Sequence, residues 1–260
     1  MPSWYLMIPS TDRSIFRWFA RAGLAVTFAL GSISASAVPP AAIEITFDVM
    51  HNGMAVAEVV EKLEHDGRTY RASEAGKGRG ALALMFKTAR TSRGLVTASG
   101  LRPLEYTDER SGRPVASAVF DYAAKTLTQK YRGEPEVRPL PAYPSDRLAF
   151  ALHFAFMESI PAAVTLDLAD GRGVSTQIYE PAGRERIQVP AGDFDTLKIV
   201  RRPDGPNDRS AELWLAPAAG NLPVRIRVVE KDGTRTEQLA TRVSIAKPGD
   251  ARAAETQKKN

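Results

Sequence analysis

The chain contains no cysteine, so disulfides, thiolate metal sites and a lipidated cysteine are all excluded. Histidine is scarce: His51, His65 and His153 form no H-x-x-H or H-E-x-x-H pattern, and no metal or other cofactor is expected. A G-x-S-x-G nucleophile elbow is also missing, and with it the usual mark of a serine hydrolase. No apolar run approaches the roughly 20 residues that span a bilayer, so no transmembrane span is expected in the mature chain. The net charge is only +5, from 35 basic and 30 acidic residues, which is not the footprint of a nucleic-acid binder.

What is present begins at the N-terminus. Arg13, Arg17 and Arg21, with Asp12 as the only acid, precede an apolar stretch over residues 22–30 and then a small-residue segment ending Ala35-Ser36-Ala37. A basic region, a short apolar region and an A-x-A end are what a signal peptidase reads. Residues 1–37 are therefore expected to be a signal peptide cleaved after Ala37, which places the mature protein in the periplasm. The missing Gly-Arg-Arg-type twin arginine points to export of an unfolded chain.

Residues 38–246 are expected to form one β-rich domain, long enough for a sizeable core. Ile43, Ile45, Phe47 and Val49 alternate with Glu44, Thr46 and Asp48, the period of a half-buried strand. Asn52-Gly53 is a hairpin signal, because both residues tolerate positive φ. Alternation returns over residues 54–65, 68–74, 115–122, 125–131, 164–168, 224–228 and 239–245. Turns are expected at Asp66-Gly67, Asp170-Gly171, Pro181-Ala182-Gly183, Pro190-Ala191-Gly192 and Lys231-Asp232-Gly233.

Three segments break this rhythm. Residues 81–90 hold a continuous apolar run that fits strand or helix. Residues 132–144, with four prolines, read as a long loop, either a plain connection or a lid. Residues 145–158 read as a buried helix with Ser145 as N-cap, carrying Leu148, Leu152 and Ala155 on one stripe and Phe150, Phe154 and Met157 on another. Pro161 limits its end. The polar tail, residues 247–260, is expected to be disordered.

The polar motifs read more simply as structure than as chemistry. Gly76-Lys77-Gly78-Arg79-Gly80 lacks the spacing of a phosphate loop and is expected to be a flexible turn. Asp193 and Asp195 read as turn caps rather than an acid–base pair. Trp214 is expected to pack in the core. Arg225 and Arg227 share one strand face and suit phosphate oxygens of lipid or lipopolysaccharide, against the simpler reading of a solvated face interleaved with Glu185, Glu212, Glu230 and Glu237.

The run Val189-Pro190-Ala191-Gly192-Asp193-Phe194-Asp195-Thr196-Leu197-Lys198, followed by Leu213-Trp214-Leu215-Ala216-Pro217 and Leu222-Pro223-Val224-Arg225, resembles the bacterial exported family catalogued as domain of unknown function 3108. Gly100-Leu101-Arg102-Pro103 and Ser145-Asp146-Arg147-Leu148 fit the order of that family. The resemblance implies export and a β-rich fold. It brings no activity and no catalytic residues.

The fold expected is all-β: a strongly curved antiparallel sheet or incomplete barrel around one buried helix, similar to envelope carriers of the LolA type by analogy of fold alone. The function expected is non-enzymatic, with no catalytic residues: a periplasmic binding protein for an apolar or lipid-like ligand, contacted by Phe150, Phe154, Met157, Arg225 and Arg227 beneath the loop and helix. The alternative is a structural or assembly factor that binds another envelope protein through a sheet edge.

Overall fold

The computed structural model describes residues 40–83, 86–157, 159–205 and 208–246. The expected signal peptide, its cleavage point after Ala37 and the expected disordered tail lie outside the described residues.

Two meanders make up the sheet. The first runs through β1 (Ala42–His51), β2 (Met54–His65), β3 (Thr69–Gly78), β4 (Lys87–Thr97), β5 (Gly100–Arg110), β6 (Ala116–Asp121), β7 (Thr126–Lys130) and β8 (Glu136–Pro139). The second runs through β9 (Pro144–Asp146), β10 (Val164–Ala169), β11 (Val174–Val189), β12 (Gly192–Arg201), β13 (Ser210–Ala216), β14 (Leu222–Val229) and β15 (Arg235–Ala246). They are joined at the centre, where β1 pairs antiparallel with β15 and sets Ile43 opposite Ile245. Every other pairing is antiparallel between sequence neighbours, except β9, which runs parallel to β10. The result is one open antiparallel sheet of 15 strands whose edges, β8 and β9, are adjacent in sequence.

Local chemistry explains the hairpins. Asn52 and Gly53 take φ of 47° and 86°, which lets the tight β1–β2 turn follow the twist of its strands. At the β2–β3 turn, Asp66 Oδ1 accepts from the Arg68 and Thr69 amides, at 2.8 and 2.7 Å. Strand alternation then turns Ala57, Val59 and Leu63 of β2 inward, and Tyr70 and Ala72 of β3 likewise.

Curvature brings the two wings together without closing a barrel. Gly171, in the β10–β11 turn, lies against the backbone of Ala116 and Ser117 of β6, where a Cβ would clash. Gln129 Nε2 of β7 donates to the Gly173 carbonyl oxygen at 2.9 Å, and Arg172 Nη1 donates to Asp108 of β5 at 3.1 Å.

Inside the curve sits α1 (Ala149–His153), continued by a 3-10 turn (Phe154–Phe156). The helix is shorter than residues 145–158. Ser145 and Asp146 belong to β9, and Asp146, not Ser145, accepts from the first amides, Leu148 and Ala149, both at 2.8 Å. The two apolar stripes nevertheless separate as their spacing requires. Leu148, Leu152 and Ala155 join the larger core cluster with Ile45, Phe47 and Tyr106. Phe154 joins a second cluster with Leu166, Tyr179, Leu213 and Leu215, against which Phe150 and Met157 pack.

Other expectations need correction. The segment 132–144 is not wholly a loop, since it contains β8. Pro181-Ala182-Gly183 is not a turn but a bulge inside the 16-residue β11, where Gly183 takes φ of 107° and pairing skips from Pro181 to Arg184. Gly76 and Gly78 are not in a turn either. They belong to β3 and face inward, where Gly76 leaves room for Thr88. Residues 80–83 form a short 3-10 turn and β4 begins at Lys87.

Candidate functional site

Where the wings meet, a cleft of about 570 Å³ opens between the β8–β9 connection, the β4–β5 hairpin and the end of the α1 segment. Its floor is Leu101, Val164 and Leu166, all buried, and its walls include Leu140, Pro141, Pro144 and Met157. Met157 is held there by a bridge of its backbone to Ser99. Polar side chains share the lining: Thr97, Ser99, Arg102, Tyr122, Tyr143 and Thr165. The Arg102 guanidinium lies over the Tyr122 ring, 3.6 Å from its centroid, and the Tyr122 hydroxyl donates to the Pro103 carbonyl oxygen at 2.9 Å. Burial holds the pKa of His153 below its ordinary value, and its Nδ1–H donates to the Leu101 carbonyl oxygen at 3.2 Å. The imidazole is therefore neutral, with its Nδ1–H committed to the backbone. Among the described residues no three His, Asp or Glu side chains converge on a point that could hold a metal ion.

On another side of the α1 segment lies a smaller chamber of about 180 Å³. One wall is apolar, with Phe150, Leu168, Leu213 and Ile226. Facing it is a ladder of charge across neighbouring strands: Glu61 of β2 pairs with Glu74 of β3, Glu74 with Arg90 of β4, and Arg90 with Asp108 of β5. Arg90 Nη1 donates to both oxygens of Glu74, at 2.8 and 2.9 Å. Asp108, wholly buried, shares the Arg110 Nε–H between its two oxygens, each at 3.0 Å, and accepts from Arg110 Nη2 at 2.7 Å and from Arg172. Burial opposes ionisation of Asp108, but the hydrogen bonds from Arg110 and the charge of Arg90 outweigh it and hold its pKa below the ordinary value. Glu61 differs: burial, and then the neighbouring Glu74 carboxylate, push its pKa up to about 8.

The residues expected to contact a ligand fall in three places. Phe150 lines the chamber and stacks on Tyr179 with centroids 6.0 Å apart. Phe154 is fully buried and meets Tyr179 edge-on at 6.1 Å, reaching neither space. Met157 lines the cleft. Arg225 and Arg227 lie on the outer face of β14, hydrogen-bonded to Glu237 and Glu212 respectively, with their guanidinium groups 4.6 and 5.2 Å from the centre of the Trp214 ring. Trp214 itself is buried in the larger core cluster, as expected, with these cations over its ring, and its indole N–H donates to Glu185 at 2.5 Å. Of the two aspartates read as turn caps, Asp193 accepts from Arg186 at 3.3 Å across the β11–β12 hairpin.

The charge ladder escaped the sequence reading, yet its signal is there. Glu61 and Glu74 stand in the same alternation phase as Ala57, Val59 and Leu63, and as Tyr70 and Ala72. A charge in the apolar phase of a strand has to be buried with partners or neutralised.

The chain belongs to the family described as "Protein of unknown function (DUF3108)", which matches residues 43–240. No curated protein matches it. Among solved structures it is similar in fold to a beta-barrel-like protein of domain of unknown function DUF1849 from Brucella abortus, with TM-score 0.52 and 8% identity over 81% of this chain and 100% of that one. A candidate exported protein with a YmcC-like fold from Bacteroides fragilis aligns with TM-score 0.39 and 11% identity, over 78% of this chain and 95% of that one.

Proposed function

We propose that this protein is a non-enzymatic binding protein of the bacterial periplasm that holds an apolar or lipid-like ligand in the cleft at the seam of the sheet. The observation that carries this reading is the cleft itself: about 570 Å³, with an apolar floor of Leu101, Val164 and Leu166. Small-molecule sites have volumes of roughly 300–1,000 Å³ and are mostly apolar with a few polar groups. Arg102 at the rim suits a polar or anionic head, while Met157 adapts to a hydrocarbon body. The non-enzymatic part is supported by the sequence, which holds no G-x-S-x-G elbow and no H-E-x-x-H pattern. Export is supported by the sequence before Val38. N-terminal sequencing of periplasmic material should read Val-Pro-Pro-Ala, and a protein that keeps Met1 would overturn that part.

Delipidated, folded protein should bind an apolar fluorescent probe saturably. Ala163→Trp, at an exposed position on the rim, should block binding without lowering the melting temperature. Absence of saturable binding to the folded wild type would falsify the cleft as a ligand site.

A second reading, an assembly factor, is favoured by an apolar stripe on the outer face. Val119 of β6 and Val137 of β8 are exposed and stand on either side of Thr128 in cross-strand register, at a sheet edge. On this reading Val137→Lys abolishes co-purification of a defined envelope protein and leaves probe binding intact.

A further inference from the structure

The chamber behind α1 contains an unexplained acid. Glu61 is only 6% exposed, and its Oε2 is buried with no hydrogen-bond partner. The side chain lines the chamber beside Glu74 and Arg90. A buried polar atom without a partner costs free energy, and the residue that carries it lines a space that a ligand can enter.

The chamber is rich in donors. The Glu74 oxygens are taken up by Arg90, and Gln177 Oε1 accepts from the Tyr179 hydroxyl at 2.6 Å. Arg90 Nε has no hydrogen-bond partner, although Asp108 Oδ1 lies 3.5 Å away. Arg147, whose Nε donates to Asp170 at 3.1 Å, and Arg209, 4.0 Å from Glu230, are partly exposed and also line the chamber. The opposite wall is hydrocarbon. A ligand that matches both walls carries hydrogen-bond-accepting oxygens at one end and an apolar body at the other.

We propose that this chamber is a second binding site, separate from the seam cleft, for a small carboxylate whose oxygens meet Glu61 and the chamber's guanidinium groups and whose apolar body lies against Phe150, Leu213 and Ile226. Glu61 acts as the neutral acid, donating its proton in a hydrogen bond to the ligand carboxylate. The charged groups that act on its ionisation are Glu74 from β3 and Arg90 from β4, and the other titratable groups that line the chamber are Arg147, Tyr179 and Arg209. On β1 its strand partner, Ile45, is apolar. Because Glu61 titrates at about 8, the donor is present at neutral pH and lost in mild alkali.

The test is calorimetric titration of hexanoate into the folded full chain. Hexanoate should bind saturably at about pH 6.5 and at least about tenfold more weakly at about pH 9.5, as Glu61 ionises. Glu61→Gln keeps a neutral donor and should bind equally at both pH values, whereas Glu61→Leu should lose binding at both. Val228→Trp, which fills the chamber, should abolish hexanoate binding, and Ala163→Trp, on the cleft, should leave it unchanged. Hexylamine should not bind. The proposal is overturned if the folded wild type shows no saturable hexanoate binding at the lower pH, or if Glu61→Leu binds like the wild type. It is equally overturned if hexylamine binds as well as hexanoate, or if Ala163→Trp removes hexanoate binding. Should Val228→Trp fail to fold, Ala211→Phe fills the same chamber and must give the same loss. The apolar-probe result at the cleft is read separately, so either site can fail alone.

Discussion

The imidazole of His153 occupies the space into which a side chain at residue 100 would project. A Cβ on Gly100 would overlap its ring, and Gly100 also takes φ of 113°. The start of β5 and the end of α1 are thus fitted to each other through the absence of a side chain. Replacing Gly100 by Ala meets both the clash and the backbone strain. Gly100→Ala should destabilise the protein by about 2–5 kcal/mol, measured by urea unfolding. A change too small to resolve would mean that His153 does not pack there.

Trp214 makes a second sharp test. Its ring is 2% exposed and is approached by Lys198, Arg225 and Arg227. Trp214→Ala should cost about 3–5 kcal/mol, the range for a buried large aromatic. Trp214→Phe keeps the ring face beneath the cations but loses the bond to Glu185, so it should cost clearly less. Equal losses for the two variants in chemical denaturation would place the energy in that one hydrogen bond.

Asp108 gathers charge from both wings. Arg90 and Arg110 reach it from the first meander and Arg172 from the second. Asp108→Asn leaves three partly exposed guanidinium groups without this counter-charge and should cost about 1–3 kcal/mol. If the loss instead stays within experimental error, the contact between the β10–β11 turn and β5 contributes little to stability.

Asp146 links stability to pH. It accepts from Ser92 Oγ at 2.5 Å and from the first amides of the α1 segment, yet burial pushes its pKa up to about 6. An unfolded aspartate titrates near 3.9, so between these values the folded chain binds the extra proton. Its contribution is therefore full below about pH 4, falls as pH rises to about 6, and is constant above that. The stability of wild type relative to Asp146→Asn should decline across that window and then level off. A difference that rises with pH would reverse the assignment.

How much of this was legible in advance depends on the range of the interaction concerned. Period-two alternation and Asn52-Gly53 name strands and a hairpin, because side-chain direction and positive φ are local properties. The stripes on residues 148–155 foretold which residues join which core cluster, because helical geometry fixes them, whereas Met157 is already extended. The length of that helix was not legible: Ser145 and Asp146 are drawn into a parallel pairing with β10, a tertiary contact. Nor was the bulge at Pro181, which reads as a turn when its partner Ile199 is out of sight.

The sequence by itself determined that the chain is strand-built, cysteine-free and centred on one apolar segment, since composition and period depend on no distant partner. Only the tertiary structure decided that β1 joins β15, that the wings curl until Gly171 rests on β6, and that a cleft and a chamber lie on different sides of α1. Sheet curvature and cross-strand register set which inward residues face each other. That is why Glu61, an ordinary strand glutamate in the sequence, becomes an unpartnered acid in a chamber.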